Sequence, residues 1–138
     1  MTTAALPLAV PSDIEAAAEA RAKPTASKIV DARTLRIREL NDAFRATLAG
    51  GKAYFSPGVS EKGAAFSAAA LAAVRMFTGF SLENDPYGEH DFGAFRIGDE
   101  RLCWKIDYYD VSLDYGSRDP ANPAQTTRVL TIMLAEEF

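Results

Sequence analysis

Residues 90–110 read HDFGAFRIGDERLCWKIDYYD: two runs of alternating character on either side of Gly98-Asp99-Glu100. Side chains of a strand alternate between its faces, and two such runs joined by a short Gly/Asp turn are the signal of a β-hairpin. In the first arm Asp91, Gly93, Phe95 and Ile97 share a face, and a tight turn near Asp99 sets Phe95 and Ile97 beside Leu102 and Trp104 of the second arm. With Ile106 and Tyr108 these form an apolar face that something else in the chain must cover. The opposite face collects His90, Arg96, Lys105, Asp107 and Tyr109, with Phe92 and Cys103 among them.

The covering elements are legible upstream. Ile37, Leu40, Phe44 and Leu48 recur at helical spacing, so a helix is expected from about Leu35 to Leu48. Asp31 or Thr34 would cap its start and Gly50-Gly51 would stop it. Arg33, Arg36, Arg38 and Arg45 lie off that stripe and read as a solvated basic patch. KAYFSPGV, ending at Pro57-Gly58, is a short strand candidate. A second helix is expected from about Ser60 to Thr78, with Phe66, Ala70, Val74 and Phe77 on one face and Gly79 as its stop. After the hairpin, DVSLDYGSRDPANPAQ is a polar loop, and TTRVLTIMLAEEF is rich enough in β-branched and aliphatic residues to be the last strand. The expected fold is α+β in two layers: a mostly antiparallel four-stranded sheet, in the order helix-strand-helix-strand-strand-strand, with helices on one face. Residues 1–33 read as an Ala/Pro-rich arm with one weak helix in DIEAAAEARAK, and residues 34–138 as a single domain.

Composition narrows the function classes. The chain has 138 residues, room for one modest core. No apolar run approaches the ~20 residues of a membrane helix. The start MTTAALPLAVPSD lacks the basic n-region of a secretory signal, so a cytoplasmic protein is expected. The one cysteine, Cys103, rules out an internal disulfide and a cysteine-rich zinc site. Net charge is −4, unevenly spread: residues 1–80 carry 10 basic against 7 acidic side chains, residues 81–138 carry 5 against 12. An acidic half repels phosphate and favours a basic partner.

NDPYGEHDFG, residues 84–93, is the stretch densest in candidate chemistry and holds the only histidine. Asn84 to Gly88 read as turn residues whose polar groups cap local backbone. Glu89 and His90 remain free to act. Asp91 falls on the core face, where a hydrogen bond from Tyr108 or from backbone N–H groups would satisfy it. A metal site could draw on Glu89, His90, Asp91 and Asp107, but consecutive strand residues point apart, and no His-x-His or HExxH spacing exists. A nuclease core needs Asp/Glu-x-Lys, whereas Lys105 precedes Asp107 in the reverse order. Cys103 and His90 share a face, yet a lone strand cysteine is ordinarily a small hydrophobe. No phosphate loop, dinucleotide fingerprint or nucleophile elbow is present, and no cofactor is expected.

RIRELNDAFR, NDPYGEHDFG, ERLCWKIDYYD and TTRVLTIMLAEEF, in this order, resemble a domain-of-unknown-function family of small bacterial proteins, common in alphaproteobacteria and frequent on plasmids. The resemblance runs from about residue 36 to residue 138. It implies that residues 84–93 and Lys105 to Asp110 are family signatures and that Cys103 varies; it brings no activity with it. The plasmid association implies a host-defence, replication or partition setting. The expectation is a non-enzymatic interaction protein that binds another protein, basic in character, through the acidic or polar sheet face and the loops at 83–90 and 110–125. Its binding candidates are Glu89, His90, Arg96, Lys105, Asp107, Tyr109 and Asp110. The alternative is a small metal-dependent hydrolase or nuclease using Glu89, His90, Asp107 and Asp110.

Overall fold

A computed structural model describes residues 30–138; the weak helix expected within residues 1–29 lies outside them. Three helices and four strands follow in the order α1 (Ala32–Thr47), β1 (Gly51–Phe55), α2 (Pro57–Glu61), α3 (Ala64–Arg75), β2 (Phe92–Ile97), β3 (Glu100–Tyr109) and β4 (Thr127–Leu134). The sheet order is β1-β4-β3-β2. The β2/β3 and β3/β4 pairs are antiparallel, but β1 runs parallel to β4, so the sheet is mixed. The parallel pair follows from the path of the chain: α2, α3, β2 and β3 all intervene between β1 and β4, and such a long connection leaves either direction open.

The hairpin register pairs Phe95 with Leu102 and Gly93 with Trp104, as the alternation required. Ile97 pairs with Glu100, leaving Gly98 and Asp99 as a two-residue turn with Gly98 at φ 60°. One face of the sheet carries Leu102, Trp104, Ile106, Leu130, Ile132 and Leu134, and Phe44, Val59, Ala70 and Val74 of the three helices close over it. Gly93 is required there: a Cβ would sit 2.4 Å from Nε1 of Trp104 and 2.8 Å from the Phe77 ring. A smaller cluster of Phe92, Cys103, Met133 and Ala135, with Phe138 against it, lies on the other face at the hairpin end. Burial there pushes the Cys103 thiol up to about 12, an inert group.

The helices differ from expectation at their ends. Asp31 caps α1 through its carboxylate, but the left-handed stop is Leu48 at φ 62°, whose N–H bonds the Phe44 carbonyl, and not the glycine pair that follows. The expected second helix is two. Gly63, at φ 104°, separates α2 from α3, and α3 ends at Arg75, short of Thr78. Ser56 caps α2, and Glu137 accepts from the Gly58 and Leu134 N–H groups at 2.8 Å each, tying that helix to the end of β4.

Candidate functional site

Where α1 crosses the sheet it presents three polar residues to the core side: Asn41, Asp42 and Arg45. Asn41 is fully buried. Its Oδ1 accepts from Arg128 Nε at 2.6 Å, and its Nδ2 donates to the Tyr108 hydroxyl at 2.8 Å and to the Glu89 carbonyl at 2.9 Å. Tyr108 donates in turn to Glu89 Oε1 at 2.7 Å, so the hydroxyl satisfies Glu89 and not Asp91 as expected. Burial first, then the nearby Asp91 and Glu89 carboxylates, raise the Tyr108 pKa and keep the phenol neutral. Arg128 lies 5.2 Å from the Tyr108 ring centroid and bonds the Pro120 carbonyl at 2.7 Å.

The second half of this network centres on His90, which overturns its expected position. The residue has φ 57° and precedes β2, so the alternation that would have placed it beside Lys105 and Asp107 does not reach it. Its ring turns to the helix side. It stacks on Phe80 with centroids 3.7 Å apart and planes 2° from parallel. Nδ1 lies 2.9 Å from Asp42 Oδ1, Nε2 lies 3.6 Å from Asp85 Oδ2, and the backbone N–H donates to Asp85 Oδ1. Burial works to raise the Asp42 pKa, but the His90 hydrogen bond and charge, and then those of Arg45, outweigh it and hold the carboxyl below its ordinary value.

Arg45, expected on a solvated basic face, is only 4% exposed. Its guanidinium lies 4.8 Å from the Trp104 ring and 5.3 Å from Phe80, bonds Asp42 at 3.0 Å, and takes the Val74 and Phe77 carbonyls at 2.7 and 3.2 Å. Val74 belongs to the last turn of α3, where carbonyls lack i+4 partners, and its carbonyl also accepts from the Phe77 N–H at 3.2 Å; Phe77 lies two residues past the helix, so a buried cation from α1 ties down the end of α3 and the chain leaving it.

The turn reading of residues 84–88 holds: Asn84 bonds Ser81 and Gly79 backbone groups, and Gly88 sits at φ 77°. The remaining candidates separate. Arg96, Lys105, Asp107 and Tyr109 alternate with core-facing residues and so lie on the other side of the sheet, away from Glu89 and His90. Lys105 and Asp107 pair with each other at 2.8 Å. Asp110 organises the loop after β3: its Oδ1 accepts from Ser112 Oγ and from the Asp114 and Tyr115 N–H groups. Desolvation works to raise its pKa, but these local hydrogen bonds together hold it below the ordinary carboxylate value. Among the described residues no three His, Cys, Asp or Glu side chains form a metal-ligand group, and the three carboxylates and the imidazole of the hydrolase alternative do not meet. The buried Asn41, Arg45 and Arg128 and the half-exposed Asp42 were missed because their helical or strand neighbours carry the apolar signal; Asn41, one turn after Ile37 and one turn before Phe44, is the one whose spacing would have found it.

The loop that Asp110 organises presents Val111 (64% exposed), Leu113 and Tyr115 (76%) to solvent. A cleft of about 510 Å³ beside them is lined by Asp110, Val111, Tyr115, Arg118, Ala124 and Gln125. Arg33 of α1 bonds Asp119 of this loop at 3.2 Å, and Arg38 bonds the Gly88 carbonyl at 2.7 Å. Leu35 and Tyr87, each within two residues of one of these bonds, are exposed as well.

The fold and these surfaces define an α+β protein with a helix-covered mixed sheet, and no helix among the described residues is long and apolar enough to cross a membrane. Residues 55–137 match the family described as "Protein of unknown function (DUF3768)", and the chain belongs to that family. No curated protein and no solved structure matches the chain.

Proposed function

We propose that the protein is a non-enzymatic binding module that engages another protein through the end of the sheet carrying the 110–125 loop. The observation that supports this reading is the set of exposed apolar side chains on three adjoining segments: Leu35 on α1, Tyr87 before β2, and Val111, Leu113 and Tyr115 after β3. Apolar groups gathered outside the core, on a loop fixed by hydrogen bonds, are what a protein–protein contact desolvates. The mobile-element or host-defence setting rests on the resemblance of the motifs alone. The hydrolase alternative has no convergent residue set to support it.

The test is a Val111→Ser, Tyr115→Ser double variant. Both side chains are exposed, so stability should change by no more than about 0.5 kcal/mol. Affinity capture from the native host with wild type and variant side by side should recover a partner that the folded variant loses. Equal recovery by both would reject this surface.

A further inference from the structure

The cleft of about 510 Å³ beside the 110–125 loop forms where the chain doubles back on the end of β3. The Asp110 N–H donates to the Tyr115 carbonyl at 2.7 Å and the Ser117 N–H to the Tyr108 carbonyl at 3.0 Å, on either side of an antiparallel bridge between Tyr109 and Gly116. When an antiparallel pair is bonded through the flanking residues, the middle residue's own N–H and C=O point away from the partner strand. The N–H of Gly116, a residue of the cleft wall, is therefore turned off β3, and it has no backbone acceptor among the described residues.

The cleft holds two charges of different standing. Asp110 is committed to its own loop, where Oδ1 accepts from Ser112 Oγ and from the Asp114 and Tyr115 N–H groups. Arg118 is exposed and has no carboxylate partner among the described residues; Asp119, next in sequence, is bonded to Arg33 at 3.2 Å instead. The apolar part of the lining is Val111, Tyr115 and Ala124. A guanidinium and a main-chain N–H that both lack acceptors, in one cleft with apolar side chains, suit an anion carried on an apolar group.

We infer that this cleft takes the free C-terminus of a partner chain, its carboxylate on Arg118 and the Gly116 N–H and its last, apolar side chain against Val111 and Tyr115. The site presupposes the partner surface proposed above and specifies what that surface recognises. A C-terminal residue carries its carboxylate and its side chain on one Cα, so both reach one cleft together. An internal acidic residue of an extended segment points to the opposite face from its apolar neighbour. A basic segment would set its cations against Arg118, the charge that the cleft leaves unpaired.

The experiment measures retention of fluorescein-labelled hexapeptide pools on the immobilised full chain. The pools are degenerate except for a last Leu or Phe, with the C-terminus either free or amidated. The wild type should retain the free acids about 10-fold better than the amides, the worth of a hydrogen bond to a charged group. Arg118→Gln should abolish that preference, and Val111→Ser with Tyr115→Ser should lose the free acids. Circular dichroism confirms that each variant is folded. Retention of neither pool by the wild type, equal retention of both, or a preference that survives in Arg118→Gln would overturn the inference. So would an amidated pool with Glu before the last residue that binds as well as the free acid, which would make the cleft a site for an internal acidic residue. Capture from the native host separates the two readings. A partner lost by the Val111→Ser, Tyr115→Ser variant but kept by Arg118→Gln would leave the surface standing and reject the C-terminal site. A partner kept by the double-serine variant would reject both.

Discussion

Nδ1 of His90 lies 2.9 Å from Oδ1 of Asp42, a contact that closes residues 48 positions apart and fastens the segment before β2 onto α1. The same ring is held flat against Phe80. His90→Ala should therefore cost about 2 kcal/mol from the lost hydrogen bond and ring contact. Alanine at φ 57° adds about 1 kcal/mol of left-handed strain. His90→Gly is free of that strain, so its urea midpoint should fall between those of wild type and His90→Ala. A glycine variant no more stable than the alanine variant would show that the backbone conformation is not what the site demands.

Asp42 gives a pH dependence with a definite sign. Its folded-state pKa is lowered, so its contribution is fully present above the ordinary carboxylate value of about 3.9 and fades as pH falls through the lowered value. Asp42→Asn should be less stable than wild type at pH 7, and the difference should shrink as pH drops below about 4. Denaturant midpoints of both proteins from pH 7 to pH 3 measure this; a gap that stays constant would contradict it.

Asn41 joins Arg128, Tyr108 and the Glu89 carbonyl inside the core. Asn41→Leu has similar size but leaves those groups short of a partner, which should cost about 3 kcal/mol. Adding Tyr108→Phe to that variant should cost less than it does in wild type, because the network is already open. Additive losses in the four-protein cycle would show that the groups do not act together.

Gly93→Ala places a methyl group against Nε1 of Trp104 and the Phe77 ring. Overpacking of this kind should cost about 2 kcal/mol or more. Trp104 is the only tryptophan, so its emission spectrum should shift in the folded variant. An unchanged spectrum and midpoint would mean that the sheet and α3 separate easily there.

Arg45 shows how a strong local reading was overridden. Its position between apolar-stripe residues of α1 and its charge both argued for solvent. The end of α3, which α1 meets only in the folded chain, supplied two carbonyls, and Trp104 and Phe80 supplied ring faces. His90 failed for a different reason. Strand alternation extends only as far as strand geometry, and a positive φ at that residue turned its side chain to the other side of the sheet.

The sequence by itself determined the hairpin, its turn and which side chains of β3 face the core, because a period of two leaves no other arrangement once one face is apolar. It also narrowed the cap of α1 to Asp31 or Thr34 and gave the turn chemistry of residues 84–88, which depend on neighbours in the chain. Only the tertiary structure decided that β1 lies parallel to β4, that Asn41 and Arg45 are core residues, and that Phe138 packs on Phe92 over the second face of the sheet. Those outcomes depend on which distant groups meet, and the meeting of α1, the segment before β2 and β4 is set by packing rather than by any local pattern.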